Sequence, residues 1–298
     1  MSSSDSSPES PPLKEKDGSP FFLSRTAFAK FAALCGPLSI VFFFIMLPAA
    51  AFLPPLPPYR TPTQVRGHYL KHETGLKGGI ALMTFVGFFF PLYTSALGGQ
   101  LSRIPGVPQT VLNAQLLGGC LGGLFLVLPA YFFATAVYRL DRAPELTQLL
   151  NDLAWIFFAM PFASLLAQDL AFSYAILLDT RPRPLYPRWL ALVTTGLTLT
   201  FWPALGVHCV KSGAVAWNGG LAFWTAGIGG GIQVSILGLW TYLAAGRTDL
   251  PSEWDMRKGG GDEKGLSREE IEIVVERLVA ERTRVERRVV EEDEKVDA

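Results

Sequence analysis

The chain has 298 residues, of which 49% are hydrophobic and 17% are charged, and its formal net charge is zero. Residues 247–298 hold 11 of the 26 basic and 16 of the 26 acidic residues, which leaves 15 basic and 10 acidic residues in the first 246. So few charges exclude an ordinary soluble globule of that length, a basic nucleic-acid-binding protein and a small disulfide scaffold. With a mean hydropathy of +0.29, the composition indicates a polytopic membrane protein.

Six apolar runs follow the N-terminal segment, and five of them carry no charge. Each is long enough to cross a hydrocarbon core of about 30 Å, which takes about 20 residues of helix. None alternates in polarity as the strands of a β-barrel do. We therefore predict an all-α membrane bundle with six transmembrane helices, at residues 31–53, 78–102, 110–138, 151–178, 189–210 and 219–245.

The segments outside these helices differ from them in composition. The N-terminal segment is rich in Ser and Pro, which predicts disorder, and it lacks the pattern of a cleaved signal peptide. The domain boundaries are predicted at 1–30 (disordered), 31–246 (transmembrane), 247–265 (linker) and 266–298 (charged amphipathic helix).

The predicted helix at 266–298 starts with a capping-box pattern, Ser267 followed by Glu270. Its heptad breaks at Arg282, so only weak coiled-coil character is expected. Two interpretations remain open for this tail: a helix that binds a protein partner, or a solvated segment without one.

An even number of spans places both termini on the same side of the membrane. That side carries 11 basic residues near the spans and the other side carries seven. The positive-inside rule therefore predicts cytoplasmic termini, although the sequence does not specify the organelle. The basic residues on the terminal side are Lys14, Lys16, Arg25, Lys30, Arg103, Arg181, Arg183, Arg188, Arg247, Arg257 and Lys258; those on the other side are Arg60, Arg66, Lys71, Lys77, Arg139, Arg142 and Lys211.

Proline and glycine recur inside the spans. Prolines can break helices around a transporter site, but they are also common in membrane helices whose neighbours satisfy the backbone. The glycine-rich runs at 118–123 and 227–231 favour close helix packing within one bundle. The internal prolines are Pro48, Pro91, Pro129, Pro161 and Pro203.

Asp169 is the strongest candidate for a binding residue, because an ionisable group inside a membrane span is costly and usually functional. Asn113, Gln115 and Gln233 are predicted at similar depth and are candidates for the same site. The alternative is that Asp169 lies at a helix end or caps a neighbour.

A second polar set is predicted at the rim of the bundle on the non-cytoplasmic side. The spacing of four between His68 and His72 places them on one helical face, and Glu73 could add a third ligand, but this is a weak metal pattern. No metal site or cofactor is predicted. The rim candidates are His68, His72, Glu73, Asn151, Asp152, His208 and Asn218.

Three segments together carry a resemblance to a known family: 149–155 (Leu-Leu-Asn-Asp-Leu-Ala-Trp), 181–189 (Arg-Pro-Arg-Pro-Leu-Tyr-Pro-Arg-Trp) and 211–218 (Lys-Ser-Gly-Ala-Val-Ala-Trp-Asn). With them, residues 31–242 resemble a family of six-span membrane proteins of no known activity from actinobacteria and filamentous fungi. The resemblance implies the same six-span fold and no mechanism.

Three functions follow as hypotheses. The first is a carrier or binder of a small solute, ion or lipid with Asp169 inside the bundle, which requires a cavity that reaches Asp169. The second is a non-catalytic scaffold in the lipid bilayer that presents residues 266–298 to a protein partner. The third is a membrane enzyme at the rim, which requires His68, His72, Asp152 or His208 to converge. Because no nucleophile motif is visible, the enzyme ranks last.

Overall fold

A computed structural model describes residues 24–251. These residues are predominantly helical, and no strand occurs among them. A 3-10 segment, Trp202–Cys209, follows α8, and a π-helical segment, Gly220–Thr225, precedes α9. The α-helices are α1 (Arg25–Ala49), α2 (Pro62–Lys71), α3 (Glu73–Thr84), α4 (Val86–Leu101), α5 (Gln109–Tyr138), α6 (Pro144–Ala159), α7 (Phe162–Leu178), α8 (Trp189–Leu199) and α9 (Ala226–Ala245).

Six stretches of this helical chain are long and apolar enough to cross a membrane, which confirms the predicted fold class. The fourth starts at Pro144 and not at residue 151, because a proline at the first helical position opens α6 and the polar residues that follow lie within the helix. The six stretches are Arg25–Ala49, Glu73–Leu101, Gln109–Tyr138, Pro144–Leu178, Trp189–Cys209 and Gly220–Ala245.

The first helix begins at Arg25, so the predicted disorder of residues 1–30 is wrong for its last six positions. The Ser24 side chain accepts a hydrogen bond from the Ala27 backbone nitrogen and caps the helix there. Residues before 24 and the predicted charged helix at 266–298 lie outside the described residues, as does most of the predicted linker.

Three of the six spans are interrupted, and a fourth changes helix type. The second divides at Phe85, the fourth at Met160 and Pro161, and the fifth where α8 gives way to the 3-10 segment. In the sixth span, the π-helical segment continues directly into α9. Pro161 and Pro203 therefore lie at or next to breaks. Pro48, Pro91 and Pro129 lie inside continuous helices, where proline needs no functional explanation. A transporter role for the two prolines at breaks stays a prediction.

The glycine run in α5 lets neighbouring helices approach closely. A Cβ atom on Gly118 would lie 2.7 Å from the backbone nitrogen of Gln168 in α7, and one on Gly122 would lie 2.7 Å from the Leu165 side chain. On another face, a Cβ on Gly123 would lie 3.1 Å from Phe90 of α4. Within the described chain, these glycines serve packing inside one bundle, as the sequence favoured.

Two buried clusters fill the bundle. One lies towards the loops at 50–61 and 139–143 and includes Phe52, Tyr69 and Trp155; the other lies towards the described ends of the chain and includes Tyr93 and Tyr186. Large apolar side chains remain exposed on the outside of the spans; Leu192 has 80% of its surface accessible. Such an apolar exterior, together with the six spans, is consistent with an integral membrane protein.

The side of the bundle where α1 begins and α9 ends, here called the terminal side, is tied together by arginines. The buried Arg103 guanidinium donates to the carbonyls of Ala244 (2.7 Å) and Arg247 (2.8 Å), so it caps the end of α9. Arg247 in turn donates to the Pro184 carbonyl at 2.6 Å. The first residues of the predicted linker therefore belong to the packed bundle.

Candidate functional site

Asp169 lies on α7 in the interior of the bundle, with 1% of its surface exposed. Its Oδ2 accepts hydrogen bonds from the Thr198 hydroxyl of α8 and from the Gln233 amide nitrogen of α9. The Gln233 nitrogen also donates to the Thr198 hydroxyl at 3.2 Å. One carboxylate oxygen therefore joins three different spans.

The other polar atoms of this cluster have no partner. Among the described residues, neither Asp169 Oδ1 nor Gln233 Oε1 has a hydrogen-bond partner, although both atoms are buried. Flipping the Gln233 amide would turn its oxygen towards the carboxylate, so the donor orientation agrees with the local charge. Two acceptor atoms are left without donors, an arrangement that costs free energy in a protein interior.

A cavity of about 80 Å³ is lined by Asp169, Gln168, Gln233, Ser39 and Tyr93 together with many apolar side chains. Because one water needs about 10–15 Å³ of such volume, the cavity has room for several water-sized groups. No lysine, arginine or histidine is among the described residues that line it. The apolar wall includes the rings of Phe43, Phe44, Phe90, Phe158, Phe201 and Phe223.

The cavity lies beside the breaks of two spans and the π-helical segment of a third. Its lining includes Ala159 and Pro161 at the break of the fourth span and Phe201 at that of the fifth. Phe223 and Ala226 line it from the sixth span, where the π-helical segment joins α9. At 1.5 Å per residue, Asp169 is about 14 Å along the helix from Leu178, the terminal-side end of α7. The polar cluster therefore lies well inside the fourth span, away from its ends.

The remaining interior candidates from the sequence have different positions. Gln115 is buried and donates to the hydroxyl (3.1 Å) and carbonyl (3.2 Å) of Thr94. The same hydroxyl accepts from Gln168 at 3.3 Å, which links Gln115 to the cavity wall. Asn113 is exposed and accepts from Gln109 at 2.8 Å, so the structure does not bring it into this cluster.

Thr198 is a functional candidate that sequence reasoning missed. It lies on α8 with Thr194 one turn earlier, and both threonines are fully buried. The available signal was a pair of hydroxyls four residues apart, in a span that also carries Thr195 and Thr200. The partner of an intramembrane carboxylate is expected to be such a group.

Four of the rim candidates contact each other in pairs, His68 with His72 and Asn151 with Asp152. The rings of His68 and His72 lie 4.8 Å apart, and His68 stacks on Phe52 at 5.6 Å. Burial lowers the pKa of His68 from 6.5 to about 4, despite a hydrogen bond with the backbone of Ala50. A neutral, stacked ring is a packing element here.

Asn151 accepts a hydrogen bond from the Tyr69 hydroxyl (3.1 Å) and donates to Asp152 (3.2 Å). Glu73 forms a salt bridge with Lys77 at 2.5 Å, and not with either histidine.

His208 and Asn218 stay apart from these pairings. The exposed His208 contacts Cys209 at 3.3 Å, and the half-buried Asn218 has no hydrogen bond to the other rim candidates in the described chain. Within residues 24–251, no group of three potential ligands could hold a metal ion. The convergence that a rim enzyme requires is therefore not formed among the described residues.

The chain matches no protein-family model, no curated protein and no solved structure. The resemblance to a six-span family of actinobacteria and fungi therefore stays a prediction. What is established is a helical chain with six spans, consistent with an integral membrane protein.

Proposed function

We propose that this protein is a membrane carrier or binder of a small solute, and that its site is the cavity at Asp169. The observation that supports the proposal most strongly is a buried carboxylate, Asp169, which has one unpartnered oxygen and belongs to a residue that lines a cavity inside the spans. An ionisable group inside a membrane span costs free energy, and for that reason it usually marks a functional site.

The interrupted spans support the same proposal. Non-helical backbone at membrane depth is tolerated where it is buried in protein or lines a cavity, and transporters build their substrate sites at such breaks. Here the breaks of the fourth and fifth spans contribute to the lining, as does the π-helical segment of the sixth. A scaffold that only presents its tail has no need of this arrangement.

We also propose that both termini face the cytoplasm, from the excess of basic residues on the terminal side. A protein partner for residues 266–298 remains a prediction, because those residues lie outside the described chain.

Access to the cavity tests the proposed function without knowledge of the solute. In a background with Cys35→Ala, Cys120→Ala and Cys209→Ser, a Ser39→Cys thiol would line the cavity. Ala33 lies on the same helix, is equally buried and does not line it, so Ala33→Cys is the matched control.

The full chain in liposomes is treated with methyl methanethiosulfonate, a small neutral thiol reagent. We expect the Ser39→Cys thiol to react at least about tenfold faster than the Ala33→Cys thiol, because access limits the reaction of buried cysteines. Equal, slow reaction of the two variants would mean that no solute reaches the cavity and would overturn the proposal.

A further inference from the structure

The polar end of the cavity has a specific chemical character, and this inference rests on the proposed function. The atoms there that lack partners are both acceptors, Asp169 Oδ1 and Gln233 Oε1. Their side chains belong to residues with 1% and 4% of their surface exposed, and both line the cavity. A ligand that satisfies them must donate hydrogen bonds.

Charge narrows the choice further. Asp169 is the one acidic residue among the described cavity-lining residues, and no basic side chain accompanies it there. An anionic ligand would meet a carboxylate without compensation, whereas a cation would neutralise it. A primary ammonium group combines a positive charge with three N–H donors, enough for both free acceptors.

The apolar wall suits a cation as well. Phe43 and Phe158 stack with ring centroids 4.9 Å apart, and Phe158 and Phe223 lie 6.3 Å apart. Tyr93 and Phe90 line the same cavity. Aromatic rings attract ammonium groups through their quadrupoles, and the attraction is strongest away from water.

The volume limits the ligand. An apolar cavity of about 150 Å³ accommodates benzene, which has six carbon atoms. In proportion, the cavity of about 80 Å³ holds about three non-hydrogen atoms. That size corresponds to an ammonium group with a very short alkyl chain.

We propose that the cavity binds a small primary ammonium ion, whose N–H groups donate hydrogen bonds to the side chains of Asp169 and Gln233 and whose alkyl part lies against the aromatic wall. For a ligand of about three atoms, the limit on binding energy per atom sets a Kd of about 1 mM or weaker.

The test measures thermal unfolding of the purified full chain in detergent against ligand concentration, at constant ionic strength. The probe is ethylammonium chloride. Comparison probes are tetramethylammonium chloride (a cation without N–H donors), ethanol (a neutral analogue of the same size) and sodium acetate. We expect saturable stabilisation by ethylammonium, and apparent affinities for the others at least about tenfold weaker.

Variants locate the site. Asp169→Asn should weaken ethylammonium binding at least about tenfold while unfolding at a similar temperature without ligand, because it removes a charge that no cation of the described chain pairs. Asp249→Asn makes the same chemical change on the terminal side, away from the cavity, and should bind as the unchanged protein does.

A second pair of variants guards against misfolding of Asp169→Asn. A Cβ on Gly227 or on Gly196 meets no atom within 4 Å, but only Gly227 lines the cavity. Gly227→Leu should reduce ethylammonium binding by partly filling the cavity, and Gly196→Leu should leave it unchanged.

Tetramethylammonium or sodium binding as tightly as ethylammonium would overturn the proposal, as would binding by Asp169→Asn within about twofold of the unchanged protein. If ethylammonium gives no stabilisation up to about 100 mM while the Ser39→Cys thiol reacts rapidly, the ammonium proposal fails and the proposed function stands. If ethylammonium does not stabilise the protein and the Ser39→Cys thiol also reacts slowly, both the ammonium proposal and the proposed function are rejected.

Discussion

Asp169 and Asp179 are both buried, each with 1% of its surface exposed, but their carboxylates have different surroundings. Asp179 accepts two hydrogen bonds from the Arg181 guanidinium, at 2.7 and 2.6 Å, and two from the backbone nitrogens of Leu185 (2.8 Å) and Arg181 (3.3 Å). Asp169 has no basic partner among the cavity residues and one free oxygen. At the scale of the residue, the hydrogen bonds of Asp179 stabilise a loop, whereas Asp169 is the proposed binding residue.

Asp179→Asn should destabilise the bundle by about 2–3 kcal/mol, because it leaves the partly buried Arg181 guanidinium without a charged acceptor and replaces one accepting oxygen with an NH2 group. Thermal unfolding of the full chain in detergent checks this. The matched control is Asp249→Asn, whose carboxylate is half-exposed. Little change is expected there, and equal destabilisation by both would contradict the assignment.

The same contrast predicts a pH dependence. Burial acts to raise the pKa of Asp179, but the hydrogen bonds from Arg181 and Leu185 outweigh it and hold the pKa below the ordinary 3.8. The folded state therefore holds this proton more weakly than the unfolded chain. The stabilisation is present above about pH 3.8 and is lost as the pH falls through the folded pKa. Asp179→Asn should reduce the acid sensitivity of unfolding.

At the scale of the element, α5 is the helix against which α4, α6 and α7 pack. Its glycines bring the backbone of α7 close, and α7 carries Gln168 and Asp169 at the cavity. The position of the site therefore depends on a helix pairing that hydrophobicity does not drive, since lipid is as apolar as the helix surface.

Gly118→Ala should destabilise the protein by about 1–3 kcal/mol, because its Cβ would lie 2.7 and 2.9 Å from backbone atoms of α7 and the helices would have to separate. Gly78→Ala is the control: its Cβ meets nothing within 4 Å, and alanine is the better helix former. Thermal unfolding in detergent separates the two. A Gly118→Ala protein as stable as Gly78→Ala would show that the close approach is not required.

At the scale of the whole molecule, the spans alternate in direction, so the end of the fifth lies on the side opposite the described termini. Cys209 ends that span and is exposed, whereas Cys35 lies buried in α1 and Cys120 is half-buried in α5. The chain therefore carries its own reporter of orientation.

If the termini are cytoplasmic, a membrane-impermeant maleimide should not label Cys209 in sealed vesicles whose cytoplasmic face is outward, and should label it after detergent is added. Cys209→Ser should remove the detergent-dependent signal, and Ala298→Cys in that background should be labelled without detergent. Labelling of Cys209 in sealed vesicles would reverse the proposed orientation.

The sequence by itself determined the number of spans and their approximate limits, because the thickness of the bilayer sets the length of an apolar helix and charges interrupt it. It also singled out Asp169, because a carboxylate stands out in an apolar run. The start of α1 was predicted at residue 31, but the helix begins at Arg25. Ser24 and the basic residues that follow it have the composition of a segment outside a span, so the sequence did not indicate a helix there.

Only the tertiary structure decided what Asp169 contacts. Asn113 and Gln115 lie on the same helix, yet one is exposed and the other buried. Because α5 is apolar on all sides, its sequence has no polar stripe that would identify the inward face. The partner Thr198, the free acceptors and the cavity depend on how α7, α8 and α9 pack and on where their spans break. These are long-range contacts, which hydrophobic patterning within single spans does not encode.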